Sequence, residues 1–127
     1  MVTMATVLFA DDDADIRVLA SELLGRHGHR VVTAGDGTEA ISLLADFVPD
    51  MVITDLNMPH QDGHAVCRAV RKMPHLSTIP LVLITALPED DQRVLQIAAE
   101  SQAIVIAKTD IVNLPELADQ LVSTAAA

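Results

Sequence analysis

Residues 51–55 read Met51-Val52-Ile53-Thr54-Asp55. The first four are apolar or β-branched, with no alternation between apolar and polar positions, and an aspartate follows at once. A continuous run of this length reads as a strand buried on both faces, as in a parallel sheet covered by helices on each side. Working outward, the same character recurs at Val7-Leu8-Phe9-Ala10, Val31-Val32-Thr33-Ala34, Leu81-Val82-Leu83-Ile84 and Ile104-Val105-Ile106-Ala107. Helical periodicity fills the intervals. Ile16, Leu19, Ala20 and Leu23 fall at i, i+3, i+4 and i+7. Ile41, Leu44 and Ala45 repeat the spacing, as do Val66, Ala69 and Val70, then Val94, Ile97 and Ala98, then Leu114, Leu117, Ala118, Leu121 and Val122. Each set makes one apolar stripe.

Strand and helix therefore alternate five times. Parallel strands joined by right-handed helical crossovers place helices on both faces. The expected fold is α/β, a (βα)5 doubly wound five-stranded parallel sheet in three layers, with the flavodoxin-like order 2-1-3-4-5. Stop signals are expected at Gly25 and Gly28, at Pro49 and at Pro74, and Asn113 with Glu116 reads as a capping box for the last helix.

The 127 residues and 13.6 kDa suit a single domain, residues 1–127. Half of them are hydrophobic, enough for a real core. The longest apolar stretches are far shorter than the roughly 18–20 residues of a membrane span, and the first residues make a poor signal peptide. The single cysteine, Cys67, cannot form an internal disulfide, which fits a cytoplasmic location. Eight basic against 18 acidic residues give a net charge of −10. Such a domain is repelled by phosphate backbones and anionic lipid, so neither nucleic acid nor membrane is expected as a direct partner. Phe9 and Phe47 are the only aromatic residues, so stacking platforms are lacking.

In such a sheet, ligands bind beyond the carboxyl ends of the strands, where the strand order reverses. Asp11, Asp12 and Asp13 follow the first strand and Asp55 ends the third, and these two strands flank the reversal. Thr85 ends the fourth strand and Lys108 follows the fifth. Clustered carboxylates repel one another, and a divalent cation relieves this. An all-oxygen, water-completed site suits Mg²⁺. A carboxylate beside Mg²⁺, an ammonium and a hydroxyl is equipped to attack phosphorus, giving an aspartyl phosphate.

Ala10-Asp11-Asp12-Asp13, Thr54-Asp55-Leu56-Asn57-Met58-Pro59 with Asp62-Gly63, Ile84-Thr85-Ala86 and Ala107-Lys108 together resemble the signatures of the bacterial two-component response-regulator receiver domain, chemotaxis-type. The resemblance spans essentially the whole chain. It implies that Asp55 is the phosphoacceptor, and that Asp12 and Asp55 ligate Mg²⁺ directly. It further implies that Asp11 acts through water, that Asn57 contributes its backbone carbonyl, and that Thr85 and Lys108 bind the phosphoryl oxygens. Asp13 then caps the first helix. The implied partners are a sensor histidine kinase or phosphotransfer protein as donor, and an unnamed output protein. The implied role is a phosphoacceptor rather than a turnover enzyme.

Three departures bear on the output. Thr109 follows Lys108 where the family usually has proline, Val105 stands where the switch position is usually aromatic, and the glycine normally ahead of strand 5 is missing. Alternatives are a receiver module of a longer hybrid kinase or regulator, a pseudo-receiver that binds partners without phosphorylation, and a haloacid-dehalogenase-like phosphatase. The last needs an acid two residues after its nucleophile, where this chain has Asn57. His60 and His64 have the i, i+4 spacing of a metal pair but no third ligand, and Cys67, Met51, Met58 and Met73 read as packing residues.

Overall fold

A computed structural model describes residues 4–126, with side chains described through Ser123. The strands are β1 (Thr6–Ala10), β2 (Arg30–Ala34), β3 (Met51–Asp55), β4 (Leu81–Thr85) and β5 (Ile104–Ala107). All neighbours are parallel and the order is β2-β1-β3-β4-β5. The helices are α1 (Ala14–Arg26), α2 (Gly37–Leu43), α3 (Gly63–Lys72), α4 (Gln92–Ser101) and α5 (Leu114–Ala126).

The strands fail to alternate in polarity because each face of the sheet has its own core. Leu8, Ala10, Val52, Leu81 and Leu83 pack with Ala40, Val66, Cys67, Val70, Val94 and Ile97 of α2, α3 and α4. Val7, Phe9, Met51, Ile53, Val82 and Ile84 point the other way, onto Ala20 and Leu24 of α1 and Leu114, Ala118 and Val122 of α5. Every residue of β3 and β4 is buried. Met58 and Met73 are half-buried against the first of these cores, as packing residues should be.

Several expected boundaries move. Gly25 lies inside α1, and the left-handed turn that ends this helix is at Gly28, φ 88°. The second helix stops at Leu43, well before Pro49, and tight turns such as Asp46 N–H to Leu43 C=O (2.9 Å) carry the chain onward. Asn113 does not cap α5 from an extended conformation. It belongs to a 3-10 helix, Lys108–Asn113, whose only non-helical residue is Asp110 and which runs straight into α5. Burial of Ile111 in the α1–α5 core holds this turn in place. The chain leaves α4 through Gln102 in the left-handed region at φ 54°, the conformation glycine would adopt at no steric cost. Arg71 supports that exit. Its guanidinium donates to the carbonyls of Ser101 (2.7 Å), Gln102 (3.3 Å), Ser77 (3.1 Å) and Ile79 (2.8 Å), satisfying groups that a helix end leaves orphaned.

Candidate phosphoacceptor site

The carboxyl ends of β1 and β3 bring two acids to one point. Asp11 is fully buried directly after β1, its N–H donating to Ala34 C=O at 3.1 Å. Its Oδ1 accepts from Asp13 N–H at 2.9 Å, while Arg17 donates to its backbone carbonyl at 2.8 Å. Asp13 accepts from Asp15 N–H and Ile16 N–H as the N-cap of α1, as expected. Asp12 is exposed. Asp55 closes β3 at 4% exposure. One carboxylate oxygen from each of Asp11, Asp12 and Asp55 lies within 4.8 Å of the others.

Lys108 Nζ reaches over from the end of β5 to Asp55 Oδ2 at 2.9 Å and Asp11 Oδ2 at 3.1 Å. Burial pushes the Asp55 carboxyl up from the usual carboxylate range, and Asp11 adds to this. Lys108 and the backbone N–H of Asn57 pull the other way without restoring the usual value. Burial alone would lower the Lys108 ammonium, but its hydrogen bonds to Asp55 and Asp11 more than offset this and raise it. A buried carboxylate pair with one ammonium between them carries an excess of negative charge in a poorly solvated place.

The donor set fits a hard divalent cation. All candidate ligands are oxygens, and Asp11 Oδ2, buried and without a well-aligned hydrogen bond, has capacity left for a partner. Thr85 ends β4 almost fully buried, and its Oγ1 accepts from Leu87 N–H at 3.1 Å. The hydroxyl proton is therefore what Thr85 has left to offer.

The loop after Asp55 is held by close packing. Thr54 Oγ1 donates to Asp55 C=O at 2.9 Å, and Gly63 N–H donates to Leu56 C=O at 2.8 Å. A Cβ at residue 63 would sit 2.2 Å from Asp55 O, so only glycine lets α3 start here. Asp62 caps α3 through Ala65 N–H (3.0 Å) and also pairs with Arg93 of α4 at 2.6 Å. Nothing in the sequence singles out Arg17 or Arg93. Both are ordinary helical arginines until the fold shows what they face.

Other residues resolve differently. His60 and His64 diverge, His60 lying 3.9 Å from Asp36 and His64 3.3 Å from Glu100, so they form no metal pair. Cys67 is buried in the core, and burial pushes its thiol up to about 12. The Lys108–Thr109 peptide is trans. Val105 is half-buried on β5 and lines a cleft of about 290 Å³ with Thr85, Leu87, Val94, Leu95 and Asp110.

Residues 7–118 match the family model described as response regulator receiver domain. The chain belongs to that family. The match extends over nearly all of the (βα)5 architecture, from β1 into α5. The receiver is 38% identical over 104 residues to a probable transcriptional regulator ycf27 of Guillardia theta, covering 80% of this chain and 40% of that protein. It is also 38% identical over 87 residues to the transcriptional regulatory protein AfsQ1 of Streptomyces coelicolor, covering 68% and 37% respectively. The receiver thus spans about two fifths of the length of these curated relatives. Among solved structures, the chemotaxis protein CheY4 of Vibrio cholerae superposes with a TM-score of 0.84 at 28% identity, covering 94% of this chain and 99% of that one. A receiver domain of a signal transduction histidine kinase from Syntrophus aciditrophicus gives 0.84 at 30% identity, covering 94% and 91%. This is a receiver domain of two-component response regulators, with the doubly wound 2-1-3-4-5 fold and no described helix long and apolar enough to cross a membrane.

Proposed function

We propose that residues 1–127 act as one cytoplasmic receiver in which Asp55 accepts a phosphoryl group from the phosphohistidine of a histidine kinase or phosphotransfer protein. The acceptance then changes how an output partner binds. The convergence of Asp11, Asp12, Asp55 and Lys108 at the ends of β1, β3 and β5 carries this reading.

The transfer needs Asp55 ionised. Lys108 and the Asn57 N–H favour that form against the desolvation of the site. A carboxylate oxygen of Asp55 attacks phosphorus, the P–N bond to the donor imidazole breaks, and its electron pair leaves with the imidazole. Lys108 Nζ is placed to meet negative charge on the phosphoryl oxygens, and Thr85 can donate its hydroxyl proton to one of them. Asp12, Asp55 and the Asn57 backbone carbonyl would hold Mg²⁺ directly, with Asp11 acting through water. When bound, Mg²⁺ supplies positive charge against the transferred phosphoryl group. The chain receives and releases one phosphoryl group on itself and turns over no small-molecule substrate.

Acetyl phosphate treatment followed by mass spectrometry tests the reading. One added phosphate is expected, localised to Asp55, lost in Asp55→Asn and lost in EDTA. Labelling undiminished in either case overturns the assignment, and no labelling of the unmutated chain leaves a pseudo-receiver. The greater length of the relatives supports a second reading, in which this receiver is one module of a longer regulator or hybrid kinase. The size of the native gene product separates the two.

A further inference from the structure

Arg17 sits near the start of α1 and is half-buried. Its Nη1 donates to the backbone carbonyl of Asp11 at 2.8 Å, and its own main-chain N–H donates to the carbonyl of Asp13 at 3.0 Å. Side chain and main chain of one residue thus close on both ends of the turn that carries Asp12. The guanidinium lies against Gly35, where a Cβ would stand 3.5 Å from Nη1, in ordinary contact. The chain has 18 acidic residues, yet among the described residues no carboxylate pairs with Arg17. Its charge is directed at a carbonyl instead.

That carbonyl belongs to the peptide joining Asp11 to Asp12. A peptide unit is planar, so holding its oxygen fixes the plane from which Asp12 projects. The rest of the turn is pinned as well. Asp11 N–H donates to Ala34 C=O at 3.1 Å, Asp13 N–H donates to Asp11 Oδ1 at 2.9 Å, and Asp13 caps α1. Asp12 differs from both neighbours. It is exposed, and its carboxylate accepts no hydrogen bond among the described residues, so the backbone on either side sets its direction. One of its oxygens nonetheless lies within 4.8 Å of oxygens from Asp11 and Asp55.

We infer that Arg17 is a positioning residue for the cation site. By holding the Asp11–Asp12 peptide it aims the Asp12 carboxylate at the point where Asp11 and Asp55 converge. This role rests on the proposed function, in which Asp12 and Asp55 hold Mg²⁺. Charge and positioning have opposite consequences here. A guanidinium beside an acidic cluster repels a divalent cation, so its charge alone weakens binding and its removal should tighten it. As a group that orients a metal ligand, Arg17 strengthens binding, and loss of such groups typically weakens affinity by about 10–100-fold.

The sign decides between them. Backbone amide shifts followed through an Mg²⁺ titration give the affinity of the unphosphorylated native chain, of Arg17→Met and of Arg17→Lys, at a temperature where urea melts show each to be folded. Arg17→Met should bind Mg²⁺ about tenfold more weakly. Arg17→Lys keeps the charge and a donor, and should lie between it and the native chain. With acetyl phosphate, labelling of Asp55 in Arg17→Met should fall at Mg²⁺ concentrations below Kd and return to the native rate at saturating Mg²⁺, a split that a loosened fold would not give. Arg17→Met that binds Mg²⁺ as tightly as the native chain, or more tightly, overturns the role of Arg17 and leaves the metal reading standing. So does labelling that stays slow at saturating Mg²⁺. A native chain whose amides do not respond to Mg²⁺ overturns the metal reading itself. Should the methionine variant fail to fold, the native chain decides: Arg17 side-chain nitrogen signals that stay unmoved while Asp12 responds to Mg²⁺ also overturn the role.

Discussion

Gly63 shows how little room the site leaves. Its missing side chain lets the start of α3 lie against the Asp55 carbonyl, where a Cβ would come within 2.2 Å of backbone oxygen. Backbone cannot rotate away as a flexible side chain can, so the loop from Leu56 to Asp62 must shift. Gly63→Ala should therefore cost about 1–3 kcal/mol of stability, the range for overpacking, and should slow phosphorylation of Asp55 together with it. Urea melts paired with phosphodonor kinetics measure both. Asp119 is a second residue with a consequence of its own. Against burial, which alone would raise it, hydrogen bonds from His27 and His29 hold its carboxyl below the unfolded value, so the stability it contributes is present above about pH 4, the unfolded carboxylate range, and is lost as pH falls through its folded value. Asp119→Asn should be less stable than the native chain at neutral pH, with the gap closing in acid. Equal gaps at pH 7 and pH 3 would show that the carboxylate's charge is irrelevant there.

At the level of elements, α3 and α4 are strapped together. Arg93 pairs with Asp62, His64 and Arg68 approach Glu100, and Arg71 gathers the carbonyls beyond α4. Surface pairs such as Arg68–Glu100 contribute little. Arg71 is different, since it satisfies several backbone oxygens at once. Arg71→Met should cost roughly 1.5–3 kcal/mol, the value of hydrogen bonds to a charged group. Gln102→Gly should raise stability by up to about 1 kcal/mol by removing a left-handed side chain. Chemical denaturation of both variants checks the signs. The strapping also shapes the expected response to phosphorylation. Val105 has few rotamers and leaves a cleft of about 290 Å³ beside Thr85. With beryllofluoride and Mg²⁺, amide shifts should concentrate in the loop Ala86–Asp90, with little change at Val105, and Val105→Tyr should redirect them along β5. Shifts centred on Val105 in the unmutated chain would contradict this.

For the whole molecule, the ruling quantity is charge. A net −10 is concentrated in part at Asp11, Asp12 and Asp55, and the Lys108 ammonium bridges Asp11 and Asp55. A cation that binds only the folded chain stabilises it by RT ln(1 + [L]/Kd), ~1–3 kcal/mol at about ten to a hundred times Kd. The thermal midpoint should rise with millimolar Mg²⁺, and Asp12→Ala should lose most of that rise. A midpoint indifferent to Mg²⁺ in the native chain would remove the metal from the proposed chemistry.

The sequence by itself determined the alternation of strands and helices, because unbroken runs such as Met51–Thr54 are affordable only inside a parallel sheet with two covered faces. It also determined which strand ends carry acid, hydroxyl and ammonium, since a parallel sheet sends every strand's carboxyl end to one edge. The helix ends were less legible. Asn113 reads as a cap locally, but burial of Ile111 draws Lys108–Asn113 into a 3-10 turn continuous with α5. Gln102 occupies a glycine's conformation while its carbonyl accepts from Arg71, 31 residues earlier in the chain. The His29–Asp119 pair spans 90 residues and has no local pattern at all. Only tertiary structure decided these, because each depends on groups that folding alone brings within hydrogen-bonding distance.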